Sequence, residues 1–287
     1  MLNIQDEETA SELEKLADCI MTELIFIVPL NIPGTKCHRT VKAVKELRQK
    51  LEAIIKQRKT DQKRELSESK DILSQLLQEK NKEGKDLSEF EIVNKVMALL
   101  IAAYDNPSIT MVTIIKYLAE LPHVYEQVRR EQMEIANAKG PEELWTFEDT
   151  RKMKYTWSVI CEVLRLEPPN SGTFREAITN ISYDGYTIPK GWKLHWAVHA
   201  SHENPEYFSE PAKFDPSRFE GNEIVPFGGG RHICPGKEYA RLQLLVFVHN
   251  LIKKFRWEKV LPDEQMIRNP NLKPEKGLPI RLYPHKL

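Results

Sequence analysis

A chain of 287 residues with 41% hydrophobic content can build a sizeable core, as one large domain or two small ones. Its 42 basic and 42 acidic side chains cancel to a net charge of +0, so overall charge supports neither nucleic-acid binding nor a strongly acidic ligand. Four cysteines, Cys19, Cys37, Cys161 and Cys234, lie far apart with no CxxC pair, which suggests neither a disulfide framework nor a zinc knuckle, assigns no disulfide partner and fits a reducing compartment.

The first half reads as helical. The opening MLNIQDEETASELEK is acidic and polar, unlike a secretory signal. Glu8 to Glu23 is amphipathic, and the apolar run Leu24 to Leu30 and a Pro33-Gly34 turn follow it. Apolar residues at three- and four-residue steps (Val41, Val44, Leu47, Leu51, Ile54, Ile55) predict a helix from Val41 to near Lys59. Gln62 to Gly84 is highly charged, and its stripe of Ile72, Leu73, Leu76 and Leu77 predicts a short helix before an exposed loop. A long helix is expected from near Leu87 to Leu121, with Ser88 and Glu91 at capping-box spacing. Pro107 cannot donate to the carbonyl four residues back and crowds it, which predicts an interruption with a kink or opened turn. The stretch Val96 to Ile115 could be taken for a membrane span. Its central Asp105 costs about 2.5–3.5 kcal/mol on insertion scales, so a buried helix with a polar break is the better reading. Pro122 begins a helix through Ile135, and Asp149 to Leu166 forms the next, stopped by Pro168-Pro169.

From Thr173 the texture changes. Short β-branched and aromatic runs are split by Asp184-Gly185 and by Pro189-Lys190-Gly191, which are hairpin signals. Asn204 to Glu220 is irregular and rich in Pro and Phe. Gly236 to Phe255 is the last helix, and Leu278 to Tyr283 could supply a terminal strand. The fold class is therefore mainly α with a small β part.

Chemistry concentrates in Phe227 to Gly236, FGGGRHICPG. Glycines let the backbone approach closely, and the following helix offers its positive end, so Cys234 can be held as a thiolate against a metal. A buried core thiol is the plain alternative. Upstream, Glu162 and Arg165 stand three apart on an apolar helix, where a buried pair leaves the guanidinium donors for a third partner. Arg218, in FDPSRF, is a candidate for that partner. His195, His199 and His202 have the spacing of ligands on one helix face, but the first of them falls in a predicted strand, where that spacing would scatter them. The triple glycine has no Gly-Lys-Ser/Thr after it, so a phosphate cradle is a weak reading.

Glu162xxArg165, then FDPSRF at 214–219, then FGGGRHICPG at 227–236 resembles the cytochrome P-450 superfamily of haem-thiolate monooxygenases over essentially the whole chain. IKYLAELP, FREAIT, IPKGWK, KFDPSRFEG and CPGKEYARL are similar to the plant branch that oxidises triterpenes, near the β-amyrin 28-monooxygenases, with taxane hydroxylases as neighbours. The resemblance implies a single, partial P-450 domain lacking its N-terminal third. Residues 1–85 would be helices ahead of the long central helix, and 86–287 the haem-binding core. It implies Cys234 as axial ligand to the iron of haem b, Phe227 beside the thiolate, and Gly228 and Gly236 shaping the loop. Glu162, Arg165 and Arg218 would form the network behind the haem, with Arg175 at a propionate.

Two departures stand out. His232 occupies a position where most relatives have a propionate-binding arginine; sterol demethylases resemble this chain there. The long helix of relatives carries Ala-Gly-x-Asp-Thr-Thr, and this chain has Ala102-Ala103-Tyr104-Asp105-Asn106-Pro107. Asp105 is retained, while Asn106 lacks the hydroxyl that helps deliver protons. The implied activity is oxidation of a hydrophobic terpenoid or sterol-like substrate with O2 and electrons from NADPH through NADPH-cytochrome P-450 reductase. The implied place is the cytosolic face of the endoplasmic reticulum membrane, with no transmembrane anchor in this chain. A non-catalytic truncated remnant and a haem-thiolate isomerase or dehydratase remain alternatives.

Overall fold

The computed structural model describes residues 2–4, 6–23, 29–63, 71–140, 143, 146–220, 225–268 and 272–285, with the side chains of 61–63 and 225 left aside. The chain divides into two compact units, Met1–Asp105 and Asn106–Leu287.

In the first unit, α1 (Glu7–Glu23) packs on α2 (Lys36–Lys63), which begins earlier than the periodicity of its apolar residues indicates. Leu13, Ile20, Leu47, Leu51 and Ile55 share one core with Leu73, Ile92, Val93 and Val96. Most of the apolar run Leu24–Leu30 lies outside the described residues, as does part of the charged segment 62–84. The helix expected within that segment is α3 (Ile72–Gln78). Asp71 caps it by accepting from the Ser74 backbone N–H at 2.8 Å, and Arg58 donates to the same carboxylate at 2.8 Å.

The long helix is α4 (Glu89–Glu120). The expected capping box is formed: Ser88 N–H donates to Glu91 at 2.8 Å, and Glu91 N–H donates to Ser88 Oγ at 3.3 Å. The helix is not broken off at Pro107: α4 continues through the proline. Proline removes a single donor, and the flanking turns keep theirs; the Thr110 hydroxyl also bonds the Asn106 carbonyl at 2.8 Å. By length and composition α4 could cross a membrane. Its residues Ile92, Val93 and Val96 are nevertheless core of the first unit, and Ile114 and Leu118 are core of the second.

In the second unit, the C-terminal half of α4, α5 (Pro122–Asn137) and α7 (Lys154–Leu166) contribute to a core that includes Val128, Ile160 and Val163, and the short α6 (Phe147–Lys152) precedes α7. The single helix expected over Asp149–Leu166 is thus two. Met153, fully buried, takes a non-helical ψ of 56° and separates α6, with its own Thr146–Asp149 capping box, from α7.

Four short strands follow: β1 (Gly172–Glu176), β2 (Ile181–Tyr183), β3 (Tyr186–Ile188) and β4 (Lys193–Ala197). Asp184 and Gly185, both at positive φ (47° and 78°), close the β2–β3 hairpin as the sequence predicts. The Pro189–Gly191 turn does not pair its flanking strands; β4 returns antiparallel to β1, with Gly172 opposite Ala197 and Glu176 opposite Lys193. Next come α8 (Val198–His202) and α9 (Lys237–Lys254), which adds Leu244, Leu245, Val248 and Ile252 to the core. The chain ends in β5 (Phe255–Lys259), a β6–β7 hairpin (Met266–Arg268, Leu272–Pro274) and β8 (Ile280–Pro284), which pairs with β5. Of these only β8 has a sequence signal. Trp257 in β5 is drawn into the core by its indole N–H, which donates to the Ile115 carbonyl at 2.9 Å.

A Cβ added at Gly172 would lie 2.1 Å from the Trp196 carbonyl oxygen. Backbone cannot swing aside as a long side chain can, so Gly172→Ala must part β1 from β4. The expected cost is about 1–3 kcal/mol, the usual range for overpacking, read as a lower denaturation midpoint.

Candidate functional site

The loop before α9 is built from two 3-10 turns, Val225–Phe227 and Gly230–His232. Gly228 and Gly230 sit at φ 72° and 63°, a left-handed backbone that favours glycine. Cys234 N–H donates to the Phe227 carbonyl at 2.8 Å, so the cysteine closes the loop on its phenylalanine. Lys237 N–H donates to the Cys234 carbonyl at 3.3 Å, which joins the loop to the first turn of α9. Gly236 has an ordinary φ of −89°, and a Cβ there would come no nearer to Cys234 Sγ than 3.8 Å.

Cys234 is a free thiol on an exposed loop, with Arg231, His232 and Ile233 exposed beside it. Cβ atoms built on Gly229 and Gly230 would meet nothing within 4 Å. An accessible soft ligand beside an open, glycine-lined surface fits a broad metal-bearing ring, and a core thiol it is not. The loop is supported from behind: Phe227 stacks on Trp157 of α7 at 6.2 Å, and the Arg241 guanidinium of α9 lies 5.2 Å over the same indole.

Glu162 and Arg165 on α7 form the buried pair that their spacing suggests, with no side-chain exposure. Arg165 Nε donates to Glu162 Oε2 at 2.7 Å and Nη2 to Oε1 at 2.8 Å. Nη1 also donates to the His202 carbonyl at 2.8 Å, and Nη2 to the carbonyls of Pro211 at 2.8 Å and Lys213 at 3.3 Å. Glu162 also accepts from Asp215 N–H at 2.8 Å, and Arg218 Nε stands 3.6 Å from it, in the place expected of the third member. His202 Nδ1–H donates to the Arg165 carbonyl at 2.9 Å, and burial lowers the imidazole pKa from its ordinary value. Phe208 lies under Arg165, 5.1 Å from the guanidinium carbon.

The other sequence candidates are more scattered. Arg175, on exposed β1, donates to Thr173 Oγ1 and to the Phe174 carbonyl, each at 2.7 Å. Asp105 and Asn106 are consecutive on α4; Asn106 Oδ1 accepts from Asn170 Nδ2 at 3.2 Å. The three histidines do not share a helix face: His195 is on β4 against Phe174, His199 is on α8 beside Glu203, and His202 belongs to the Arg165 network. Among the described residues no group of three His, Cys, Asp or Glu could hold a metal ion. Sequence reasoning missed the parts of the site that are carbonyls, at 202, 211 and 213, because a backbone group has no residue signature. It also missed Phe208 and the Trp157–Arg241 support; an aromatic three positions after Lys154 reads equally well as ordinary core.

The protein-family model described as Cytochrome P450 matches residues 2–286. The chain belongs to the cytochrome P450 family. It is 66% identical to the luvungin A synthase CYP716AC1 of Citrus sinensis, over 99% of this chain and 61% of that protein. It is 49% identical to the β-amyrin 28-monooxygenase of Vitis vinifera, over 99% of this chain and 60% of the relative. The chain thus spans about three fifths of these P450s. Among solved structures, retinoic acid-bound cyanobacterial CYP120A1 superposes with a TM-score of 0.84 at 29% identity, covering 98% of this chain and 64% of that one. The fold is that of a P450, and the family carries its haem iron on a cysteine thiolate.

Glu162→Ala leaves the Arg165 guanidinium buried without its carboxylate, with an expected loss of about 3–5 kcal/mol in unfolding free energy. Arg218→Ala removes a partner from the edge of the same network, and the expected loss is about 1–3 kcal/mol. Denaturant unfolding of the two variants checks both the direction and the ranking.

Proposed function

We propose that this P450 is a haem-thiolate monooxygenase that oxidises a hydrophobic polycyclic terpenoid, with Cys234 as the axial ligand of haem b. The observation that carries the reading is the free, exposed Cys234 thiol on a loop closed by its own N–H on Phe227. Haem, when bound, supplies the iron and the oxygen chemistry. The chain supplies the rest. The Gly228–Gly230 turn presents the sulfur, Gly236 joins the loop to α9, and Phe227, backed by Trp157, covers it from one side. Arg175 and His232 are cationic or N–H donors suited to the two propionates, with Arg able to bind a carboxylate through two parallel bonds. Glu162, Arg165 and Arg218 hold the irregular segment that leads into the loop. Residues 1–85 and 86–287 are taken as parts of one P450 domain.

The terpenoid class rests on the relatives: the luvungin A synthase of Citrus sinensis and the β-amyrin 28-monooxygenases of Vitis vinifera and Medicago truncatula. Electrons would come from NADPH through NADPH-cytochrome P-450 reductase, on the cytosolic face of the endoplasmic reticulum membrane. Asp105 and Asn106 occupy the proton-delivery position. Asn106 can hold a water or a substrate oxygen, but it cannot pass on a proton as a hydroxyl does. That substitution favours a second reading, a haem-thiolate isomerase or dehydratase, which consumes no NADPH.

The carbon monoxide difference spectrum of the reduced chain is expected to show a thiolate-type Soret band that Cys234→Ala abolishes. A chain that retains no haem where a relative does would overturn the proposal in favour of a non-catalytic role. With haem in place, NADPH consumption with the reductase and a triterpene separates monooxygenase from isomerase. Asn106→Thr is expected to raise coupled turnover, since a positioned proton donor contributes on the order of 10²–10⁴-fold. Unchanged coupling would show that Asn106 does not limit the reaction.

A further inference from the structure

We infer that Glu131, Thr156, Gln132 and His249 form a one-way hydrogen-bonded relay that registers α9 against α5 and α7 and fixes His249 as its Nδ1–H tautomer. The relay starts at the N-terminus of α7. Met153, at the cap position, makes no side-chain bond to the exposed backbone N–H groups there. Glu131, reaching over from α5, does so instead: its carboxylate accepts from Tyr155 N–H at 2.7 Å and Thr156 N–H at 2.9 Å. A negative group is thereby set on the positive end of the helix that bears Glu162 and Arg165.

From that carboxylate each proton has one direction. Glu131 can only accept, so the Thr156 hydroxyl, 2.5 Å away, donates to it. The hydroxyl oxygen is then the acceptor for Gln132 Nε2 at 2.6 Å. With its NH2 committed to Thr156, the Gln132 amide turns its carbonyl to His249 Nδ1, 2.9 Å away, and a carbonyl requires that nitrogen to carry the hydrogen. Gln132, Thr156 and His249 are at most 2% exposed, so water does not compete for these bonds. Burial also pushes His249 down to about 4, which keeps the ring neutral.

The other buried residues of α9, Leu244, Leu245, Val248 and Ile252, make only apolar contacts. Such contacts tolerate small shifts along a helix axis; a directional bond at His249 does not. α9 begins at Lys237, whose N–H bonds the Cys234 carbonyl, so its register also sets where Cys234 stands. This last consequence rests on the reading of Cys234 as a haem ligand; the relay itself does not.

Two substitutions at one position separate the relay from packing. Thr156→Val keeps the volume and removes the hydroxyl, whereas Thr156→Ser keeps the hydroxyl and removes a methyl group. Packing alone predicts that Val is tolerated and Ser is worse; the relay predicts the reverse. With 15N-labelled histidine, the His249 ring (assigned by its loss in His249→Gln) is expected as Nδ1–H in the unaltered chain and in Thr156→Ser. In Thr156→Val the Gln132 amide loses its short acceptor and keeps only Glu131 at 3.4 Å, so the ring is expected to move toward Nε2–H, with about a tenfold larger unfolded fraction. The thiolate-type share of the carbon monoxide spectrum is expected to fall several-fold in Thr156→Val and to hold in Thr156→Ser. An Nε2–H ring in the unaltered chain overturns the relay, as does a Thr156→Val variant with unchanged tautomer and stability. Nδ1–H with no haem bound sustains the relay and sinks the ligand reading, so the two failures are told apart.

Discussion

Two opposite charges placed where water cannot reach them constrain this protein more than any other feature. Taking Glu162 and Arg165 out of solvent carries a desolvation penalty of several kcal/mol per ion, and their mutual attraction offsets it only when the remaining lone pairs and hydrogens are also bonded. Here both ions are bonded further: two charge-assisted bonds join the pair, three carbonyls accept from Nη1 and Nη2, and Asp215 N–H reaches the carboxylate. The consequence falls on the segment from His202 to Arg218, which has little regular structure. Its carbonyls at 202, 211 and 213 have a fixed destination, so it is ordered by the ion pair instead of by a ladder of its own bonds.

That arrangement explains why the site was only partly legible in the sequence. Cys234, the glycines at 228 and 230, Glu162, Arg165 and Arg218 could be read because each role demands a particular side chain. Positive φ calls for glycine, a soft metal ligand for a thiol, and a bidentate partner for Arg. The three carbonyls could not, since any residue supplies one. The same contrast holds in the fold. The capping box at Ser88–Glu91 and the Asp184-Gly185 hairpin were legible because their bonds are local and residue-specific. β5, β6 and β7 were not: at five, three and three residues they are too short for a period of two to register, and Trp257 is placed by a distant carbonyl at Ile115.

Two helix boundaries differ from the sequence reading. At Pro107 a strong local rule gave way because a single absent donor is a small perturbation in a helix of 32 residues. At Met153 no local rule spoke at all, and the break follows from burying that methionine while Thr146 and Asp149 cap the preceding turn. At Pro107 a local rule was too weak to break the helix, and at Met153 tertiary burial acted where no local rule existed.

α7 is where these threads meet. Thr156 bonds the α5 carboxylate, Trp157 stacks behind the cysteine loop, and Glu162 and Arg165 gather the irregular segment. At 100° per residue these positions point around the helix and not along one stripe, and nine of its thirteen residues are buried. A helix held on every side cannot yield to one neighbour without disturbing the others. A change at the Thr156 end would therefore be felt at the Phe227 support as a shift of a rigid body, whereas a change on an amphipathic surface helix would be absorbed locally. The loop that presents Cys234 inherits its position from that constraint, with no need for a rigid backbone of its own.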